Sequence, residues 1–367
     1  MPPAVSQEIL KTRGSKKLGR KDDITAHSAR KLLRFLAKNK ERISPLLILT
    51  HDYPDPDALA SAYALQYLAE SQFGIRSRIV YGGIVGRIEN RAMVKALKLP
   101  VYKLRPVDLR RHDHIALMDT QPEFENNSFP KKRKATIVID QHPPVVRSHA
   151  DLTLVDTGCG ATCVILARAL LLLRKEIPAR VATALAYGIL SDTLYFYRAD
   201  RPDIIQTYLG IIHYCDFKAL AYILNPLRPR KFFASLALGI QNAKARRGLV
   251  ISHLGVVENP DLVSQIADFL MSYKGTKRCL CTGRYRGKLH VSFRQANQNA
   301  DAGEILRDVF TNRDEAGGRG AIAGGSSKVG LEASEETWTQ KEDELIERLL
   351  RRLRIPIKGD FYFPFRS

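Results

Sequence analysis

Residues 45–61 read PLLILTHDYPDPDALAS, an apolar run that ends in polar side chains just before a helix. Continuous apolar character is typical of a strand buried on both faces of a sheet. His51, Asp55 and Asp57 follow the run, at the strand end where open α/β sheets bind ligands. A mixed nitrogen and oxygen set suits Mn²⁺ or a similar divalent ion, so the stretch predicts a cation site. The competing interpretation is that Asp57 only caps the following helix.

Three further apolar runs follow the pattern of the first. They lie in RSRIVYG (76–82), HIALMDT (114–120) and KATIVIDQH (134–142), and helical or turn-like segments separate them. Apolar strands alternating with helices predict a parallel sheet covered by helices on both faces. Because two of these runs end at Asp119 and Asp140, we expect their carboxylates to converge with the loop after the first strand.

A further carboxylate, Asp192, lies in AYGILSDTLYF (186–196), a segment with the character of a buried helix. An aspartate that follows a buried run is costly to bury unless it is paired or bound to a metal ion. The sequence therefore adds Asp192 to the predicted cation site.

The length of 367 residues suits two domains, each large enough for its own core. We predict a basic flexible arm at 1–24, a cation-binding domain at 25–225, a linker at 226–247 and a second domain at 248–367. The second domain is expected to be a smaller α/β unit with antiparallel pairing, placed across a cleft from the first.

The charge of the chain indicates the class of its binding partner, and its cysteine content indicates the cellular compartment. The chain has 58 Lys and Arg against 38 Asp and Glu, a formal charge of +20 that attracts polyanions. Charge alone does not choose among nucleic acid, nucleotides and acidic lipid, and a basic tail on a soluble protein is the alternative. No run is long and apolar enough to span a membrane, and five cysteines do not suggest a disulfide framework. We therefore expect a cytoplasmic protein without a membrane partner.

The order of these motifs resembles that of the DHH phosphoesterase family over about residues 45–330. In the first domain the resemblance rests on His51, Asp55, Asp57 and Ser61, on Asp119, on Asp140-Gln141-His142, and on Gly188 to Thr193. In the second domain it rests on Ser292 and Arg294, which are similar to the family's S-x-R, and on the glycine-rich stretch 317–325, which is similar to its DHHA1 signature.

The resemblance implies a site for two divalent ions, of which Mn²⁺ is expected and Mg²⁺ or Co²⁺ are alternatives. His51, Asp55 and Asp119 would hold the first ion. Asp57 and Asp192 would hold the second, with Asp119 bridging the two. Such a pair lowers the pKa of a water molecule and clamps a phosphoryl group.

The sequence departs from the family pattern at Gln141, where the first histidine of D-H-H is expected. An amide oxygen is a weaker ligand than imidazole. Four outcomes stay open: a weaker second site that keeps Gln141 as a ligand, a second site that prefers Mn²⁺ or Mg²⁺, recruitment of His142 as a ligand, or an inactive site. His142 is otherwise expected beside the reacting phosphate, where it and Asp119 would be the catalytic residues.

The resemblance assigns substrate binding to the second domain. The residues concerned are Ser292, Arg294, Gly317, Gly318, Arg319, Gly320, Gly324 and Gly325. Glycines let backbone N–H groups approach a phosphate closely, and Arg319, which replaces a family histidine, adds a bidentate donor. The alternative for the glycine-rich stretch is a flexible loop.

The implied function is a two-metal phosphoesterase of the nanoRNase or phosphoadenosine phosphatase type, acting on short oligoribonucleotides or nucleotide phosphates. One alternative is a phosphodiesterase for cyclic or linear dinucleotides. The other is a non-catalytic RNA- or nucleotide-binding protein with a degenerate site, which the charge, the basic arm and Gln141 favour. The expected partner is a short RNA or a nucleotide, and a homodimer is left open.

Overall fold

The computed structural model describes residues 24–144, 146, 149–297 and 300–366, and at Arg319 the backbone alone. The predicted basic arm lies outside these residues, apart from Ile24. The chain divides into two compact units, the first ending at Pro226 and the second beginning at Leu227.

The first unit contains a six-stranded sheet and eight α-helices among the described residues. The strands are β1 (Leu46–Thr50), β2 (Ser77–Tyr81), β3 (Val101–Lys103), β4 (His114–Met118), β5 (Ala135–Asp140) and β6 (Ala150–Val155). The helices are α1 (Ile24–Asn39), α2 (Pro56–Tyr67), α3 (Ile88–Leu97), α4 (Pro106–Arg111), α5 (Cys163–Leu172), α6 (Ala179–Asp192), α7 (Pro202–Ile212) and α8 (Phe217–Leu224).

All strand pairs of this sheet are parallel, and the strand order is β3-β2-β1-β4-β5-β6. The chain moves outward from β1 to β3 on one side and from β4 to β6 on the other. The order therefore reverses between β1 and β4, the position at which open α/β sheets bind their ligands. The predicted parallel sheet is confirmed.

Alternate residues of the central strands enter two different cores. Leu46 and Ile48 of β1 belong to the larger core, which α1, α2, α5 and α6 complete. Leu47 and Leu49 face a smaller core, to which Phe129 and residues near α4 contribute. Both faces of β1 are thus buried, which explains its uninterrupted apolar sequence.

Two strands of the sheet were not predicted. β3 is only three residues long, and two of them are exposed, so its sequence carries little apolar signal. β6 lies at the opposite edge of the sheet and is only half buried along its length. Edge strands with one solvated side lack the continuous apolar run that identified the central strands.

The second unit contains four α-helices and a mixed six-stranded sheet among the described residues. Its elements are α9 (Arg230–Gln241), β7 (Lys244–Arg246), β8 (Leu249–Val256), α10 (Asp261–Leu270), β9 (Arg278–Tyr285), β10 (Lys288–Gln295), α11 (Ala302–Val309), β11 (Ala316–Arg319), β12 (Ile322–Lys328) and α12 (Glu335–Arg352). The strand order is β11-β12-β10-β9-β8-β7, with β8 and β9 parallel and the other pairs antiparallel. Residues 226–247, assigned to a linker from the sequence, contain α9 and β7 of this unit.

The glycine-rich stretch is a β-hairpin rather than the flexible loop that was its alternative. β11 and β12 pair antiparallel, with Gly317 opposite Gly324 and Gly318 opposite Ala323. Gly320 has a φ of +55° in the turn, a backbone conformation that glycine adopts without strain.

None of the helices in the described part of the chain is long and apolar enough to cross a membrane. All five cysteines are free thiols, and four of them are buried.

Candidate metal centre

Polar side chains gather at the carboxyl ends of β1, β4 and β5, and we call this group the strand-end cluster. Its members are His51, Asp55, Asp57, Asp119, Asp140 and His142. The Nδ1 of His51 lies 2.8 Å from the backbone carbonyl oxygen of Asp52, a hydrogen bond in which the ring donates. The other ring nitrogen, Nε2, lies 3.8 Å from Asp55 Oδ1 and 3.6 Å from Asp119 Oδ2. A protonated Nδ1 leaves Nε2 as the ring atom that can coordinate a cation, which is how second-sphere contacts orient metal-binding histidines.

Asp55, and not Asp57, caps α2. The Ala58 backbone N–H donates to Asp55 Oδ1 at 2.9 Å, which identifies Asp55 as the N-cap residue. The capping interpretation was therefore placed on the wrong aspartate. The Asp55 carboxylate remains 42% exposed, so capping leaves it accessible to a cation.

Asp57 is fully buried in the first turn of α2, and its carboxylate joins α2 to the start of α5. The backbone N–H groups of Thr162 and Cys163 donate to its two oxygens at 2.6 and 2.7 Å. The Ser61 hydroxyl lies 3.4 Å from the same carboxylate. Several donors thus already occupy the oxygens of Asp57.

Asp119 follows β4 in a left-handed backbone conformation, with a φ of +58°. Few residues other than glycine adopt this region, and such strain concentrates at functional sites. The hydroxyl of Thr162 donates to Asp119 Oδ1 at 2.7 Å. The side chain of Asp119 is almost fully buried. One of its carboxylate oxygens accepts the Thr162 hydroxyl, and the other faces the imidazole of His51.

Asp140, at the end of β5, orients His142. Its Oδ1 lies 2.8 Å from His142 Nδ1 and accepts a bond from the Gln141 backbone N–H at the same distance. Its Oδ2 accepts a hydrogen bond from Gln121 Nε2 at 2.7 Å. The carboxylate of Asp140 is fully buried and has three donors, which suits a residue that positions a neighbouring histidine.

Gln141 connects the two carboxylates assigned to the second ion. Its Nε2 donates to Asp192 and lies 3.3 Å from Asp57 Oδ2. The Gln141 side chain is buried, and Asp192 ends α6 nearby. The amide hydrogens therefore lie between the two acidic groups.

Among the described residues, one group of three ligand atoms within 4.8 Å of one another comes from His51, Asp55 and Asp119. This is the set that the resemblance implied for the first ion, and its imidazole and carboxylates are ligands that Mn²⁺ accepts. The residues present thus fit a divalent cation. Asp57 and Asp192 complete no such group in the described part of the chain, although the negative charges of both contribute to raising the pKa of Asp119.

A second group within the same distance comes from Asp119, Asp140 and His142. It shares Asp119 with the first group, as a bridging carboxylate would. His142 Nδ1 lies 3.6 Å from Asp119 Oδ1, so His142 is close enough to act as a ligand or beside one.

The electrostatics of the cluster also fit a cation. Burial, together with the negative charges of Asp192 and Asp55, raises the pKa of Asp57 to about 7. Burial and the carboxylates of Asp57 and Asp55 also raise the pKa of Asp119 well above its usual value. Burial lowers the pKa of His51, but hydrogen bonds and charges, chiefly of Asp55, outweigh it and raise the pKa to about 9. Without a cation, protons must supply the missing positive charge.

Several residues of this site escaped the sequence analysis. Thr162 and Cys163 reach Asp57 over more than a hundred residues of sequence, and Gln121 anchors Asp140. In the sequence, Gln121 is marked only by its place shortly after β4, and Thr162 and Cys163 only by their place at the start of α5. Asn90, near the start of α3, also escaped the sequence analysis, and its buried amide donates to the Pro54 carbonyl at 3.3 Å.

In the second unit, Ser292 and Arg294 lie on β10 and are both buried. They line a depression of about 270 Å³ together with His290, Gly324 and Gly325. The Ser292 hydroxyl has no hydrogen-bond partner among the described residues. A buried hydroxyl without a partner is uncommon and calls for a ligand or a water molecule to satisfy it.

Arg294 is held in place by its neighbours. Its Nε pairs with Asp268 of α10 at 2.5 Å, and its Nη1 donates to the carbonyl oxygens of Phe293 and Ala323 at 3.2 and 3.3 Å. The predicted residues Gly317, Gly318 and Gly320 belong to the β11–β12 hairpin, outside the residues that line the depression. The side chain of Arg319 lies outside what the structure describes, so its predicted role stays a prediction.

Comparisons of sequence give two findings. A profile of the DHH family N-terminal domain matches residues 45–189, which contain β1 to β6 and most of the cluster. The uncharacterized protein MJ1633 of Methanocaldococcus jannaschii is 31% identical over 333 residues, covering 89% of this chain and 66% of that protein. This chain thus spans about two thirds of that relative's length.

Comparisons of structure extend the likeness over both units. An exopolyphosphatase-related protein from Bacteroides fragilis matches with a TM-score of 0.68 and 14% identity, over 89% of this chain and 98% of that one. RecJ from Thermus thermophilus, solved in complex with Mn²⁺, matches with a TM-score of 0.52 and 15% identity, over 91% of this chain and 55% of that one. At these identities the likeness concerns the fold alone.

Proposed function

Because this chain belongs to the DHH family, we propose that it is a divalent-cation-dependent phosphoesterase acting on short oligoribonucleotides or nucleotide phosphates. The observation that carries the proposal is the convergence of His51, Asp55 and Asp119 at the switch point of the parallel sheet. Mn²⁺ is the first candidate ion, since the RecJ neighbour was solved with it. A second ion would use Asp57 and Asp192, with Asp119 as the bridge.

Bound divalent ions would supply Lewis-acid stabilisation of a phosphate ester and of the attacking water. The protein contributes the orientation of the groups around them. The Asp52 carbonyl fixes the ring of His51, and the Thr162 hydroxyl fixes the carboxylate of Asp119. Asp140 holds His142 beside Asp119, where it can donate a hydrogen bond to a phosphate oxygen.

Two features support a nucleotide over a bare anion. Tyr53 follows the ligand His51, and Tyr195 and Tyr197 follow the carboxylate at the end of α6; their exposed fractions are 66%, 69% and 69%. Exposed aromatic rings next to a phosphate-binding site are typical of proteins that stack on bases. The depression around Ser292 in the second unit offers a hydroxyl, unpaired among the described residues, to a polar group of a ligand.

The proposal is tested with purified protein, Mn²⁺ and a substrate panel. The panel contains di- to pentaribonucleotides, linear and cyclic dinucleotides, and phosphoadenosine phosphate. We expect release of mononucleotide or phosphate, and Asp119→Asn should lower kcat/KM at least about 1,000-fold because it removes the negative charge and one oxygen of the shared ligand. Relative rates across the panel separate the nanoRNase type from the dinucleotide phosphodiesterase alternative.

A second candidate is a nucleic-acid-binding protein without turnover, which the contact of Gln141 with both Asp57 and Asp192 favours. It predicts RNA binding that weakens steeply with salt, because the chain carries a formal charge of +20. Binding that persists in Asp119→Asn, with no turnover of any panel member by the unmodified protein, would establish this candidate and reject the enzyme.

A further inference from the structure

The two cation positions of the proposed site differ in the contacts that their carboxylates already make with the protein. The first position is formed by His51, Asp55 and Asp119. The His51 Nε2 and the partly exposed carboxylate of Asp55 face this position. Asp55 Oδ1 accepts a hydrogen bond from the Ala58 N–H, and Asp119 Oδ1 accepts one from the Thr162 hydroxyl, which leaves a second oxygen on each carboxylate for a cation.

The second position is already filled by hydrogen-bond donors of the protein. Asp57 accepts bonds from the backbone at Thr162 and Cys163, at 2.6 and 2.7 Å. Gln141 then brings its amide Nε2 to both Asp57 and Asp192. An N–H group that lies between two carboxylates provides the same kind of electrostatic compensation as a cation would, although with less charge.

The imidazole that the family places at this point and the amide of Gln141 act differently on the two carboxylates. A neutral imidazole offers a lone pair to a metal ion, whereas the NH₂ group of glutamine has only hydrogens to offer. For Gln141 to become a ligand, its amide must turn so that its oxygen replaces its nitrogen. That turn breaks the bonds to Asp57 and Asp192 and places an oxygen against their negative charges.

We propose that Gln141 occupies the second cation position with its amide, so that the protein binds one divalent ion tightly and a second one much more weakly. The proposal rests on the proposed function for the first ion. Loss of hydrogen bonds to charged groups implies a second dissociation constant roughly 10- to 100-fold above the first. Gln141 is then a positioning residue that sets the metal content of the site.

The test is calorimetric titration of the metal-free full chain with Mn²⁺, together with electron paramagnetic resonance of the loaded protein. The unmodified protein should bind one ion per chain in the tight phase and give the spectrum of an isolated Mn²⁺ ion. Gln141→His and Gln141→Glu, which each replace the donor with a ligand, should bind two ions with similar affinities and give the spectrum of a spin-coupled pair. Two variants of different charge guard against a folding defect in either one, which circular dichroism would reveal.

Gln340→Glu is the matched control, because it adds the same charge on the exposed side of α12 in the second unit. It should leave the stoichiometry at one. Two ions of equal affinity in the unmodified protein, or an unchanged second affinity in both Gln141 variants, would overturn this inference alone. Failure of every variant to bind any ion would also overturn the cation assignment beneath it, whereas absence of turnover with the expected stoichiometries would reject only the proposed reaction.

Discussion

The two sheets of the molecule present polar side chains in opposite ways. In the first sheet, His51, Asp119 and Asp140 lie at or just beyond the carboxyl ends of parallel strands. In the second sheet, Ser292 and Arg294 lie inside β10, in register with Gly324 and Ile322 of β12. Strand ends leave the backbone free to bring side chains together, whereas positions inside a strand fix the backbone and leave only the side chain to adapt.

The two regions are therefore stabilised by different interactions. The strand-end cluster concentrates buried carboxylates whose charges repel, so its stability depends on protons or cations. The residues of β10 are held by strand pairing and, for Arg294, by Asp268. The first region should therefore respond strongly to pH and metal ions, and the second to changes in packing and in single hydrogen bonds.

The largest expected effect is the pH dependence of the metal-free first unit. The pKa of Asp57 is about 7 in the folded protein and 3.8 in an unfolded chain. Between these pH values the folded protein keeps a proton on Asp57 that the unfolded chain has lost. Stability therefore falls as the pH rises from 3.8 to 7, by roughly 4 kcal/mol for this group. The raised pKa of His51, about 9 against 6.5, acts in the same direction and extends the decline above pH 6.5.

Denaturant unfolding with EDTA or with Mn²⁺, followed between about pH 5 and 8, measures this effect. The single tryptophan, Trp338, is buried in the second unit, so its fluorescence reports that unit, while circular dichroism reports both. Mn²⁺ should shift the circular dichroism transition of the first unit to higher denaturant concentration. The midpoint of the fluorescence transition, which reports the second unit, should not change. Asp57→Asn should flatten the pH dependence below about pH 7. A metal-free protein whose stability rises with pH over this range would contradict the electrostatic account.

The second prediction concerns the glycine hairpin and compares two neighbouring positions. A Cβ at Gly318 would lie 2.3 Å from the Ile322 carbonyl oxygen, whereas one at Gly317 would meet nothing within 4 Å. Because the obstructing atom belongs to the backbone of β12, Gly318→Ala must open the strand pair. We expect it to lower the free energy of unfolding of the second unit by roughly 2–3 kcal/mol, with Gly317→Ala almost neutral. Trp338 fluorescence in denaturant measures both, and equal losses would refute the packing difference.

The sequence predicted the first unit better than the second, because strands buried on both faces have a clearer sequence pattern than half-exposed ones. Central parallel strands must be apolar on both faces, so β1, β4 and β5 were recognisable, and so were the polar residues His51, Asp119 and Asp140 at their ends. Part of helix α6 was recognised from the buried-helix character of residues 186–196. The half-exposed edge strands β3 and β6 gave too weak a pattern.

What the sequence could not supply were the contacts made across the fold. Nothing local to Thr162 indicates that its backbone N–H caps the carboxylate of Asp57, or that its hydroxyl holds Asp119. The absent histidine at Gln141 was visible, but its amide contact with both Asp57 and Asp192 was not. In the second unit the glycine-rich stretch could be a loop or a hairpin, because glycine is compatible with both.

A smaller effect is expected at Arg294 if the second sheet binds the substrate. Arg294→Lys keeps the charge but loses the planar guanidinium that can pair with Asp268 and a phosphate. We expect KM to rise about 10-fold with kcat little changed, since binding rather than chemistry is affected. The matched control is Arg284→Lys, because Arg284 pairs with Glu335 and Glu342 of α12 and is absent from the lining of the depression. A similar rise in KM in both variants would point to a general loss of structure.

The smallest effect, and the sharpest test of the second sheet, is expected at Ser292. Its buried hydroxyl has no partner among the described residues, while the hydroxyl of Ser252 on β8 donates to the Gly239 carbonyl at 2.7 Å. Removing a satisfied hydroxyl costs about 1 kcal/mol of stability, whereas removing an unsatisfied one costs the free protein nothing. Ser292→Ala should therefore keep or raise stability and increase KM a few-fold, whereas Ser252→Ala should lower stability by about 1 kcal/mol and leave KM unchanged. If Ser292→Ala leaves KM unchanged, the depression does not hold the substrate, and the second sheet has no demonstrated part in binding.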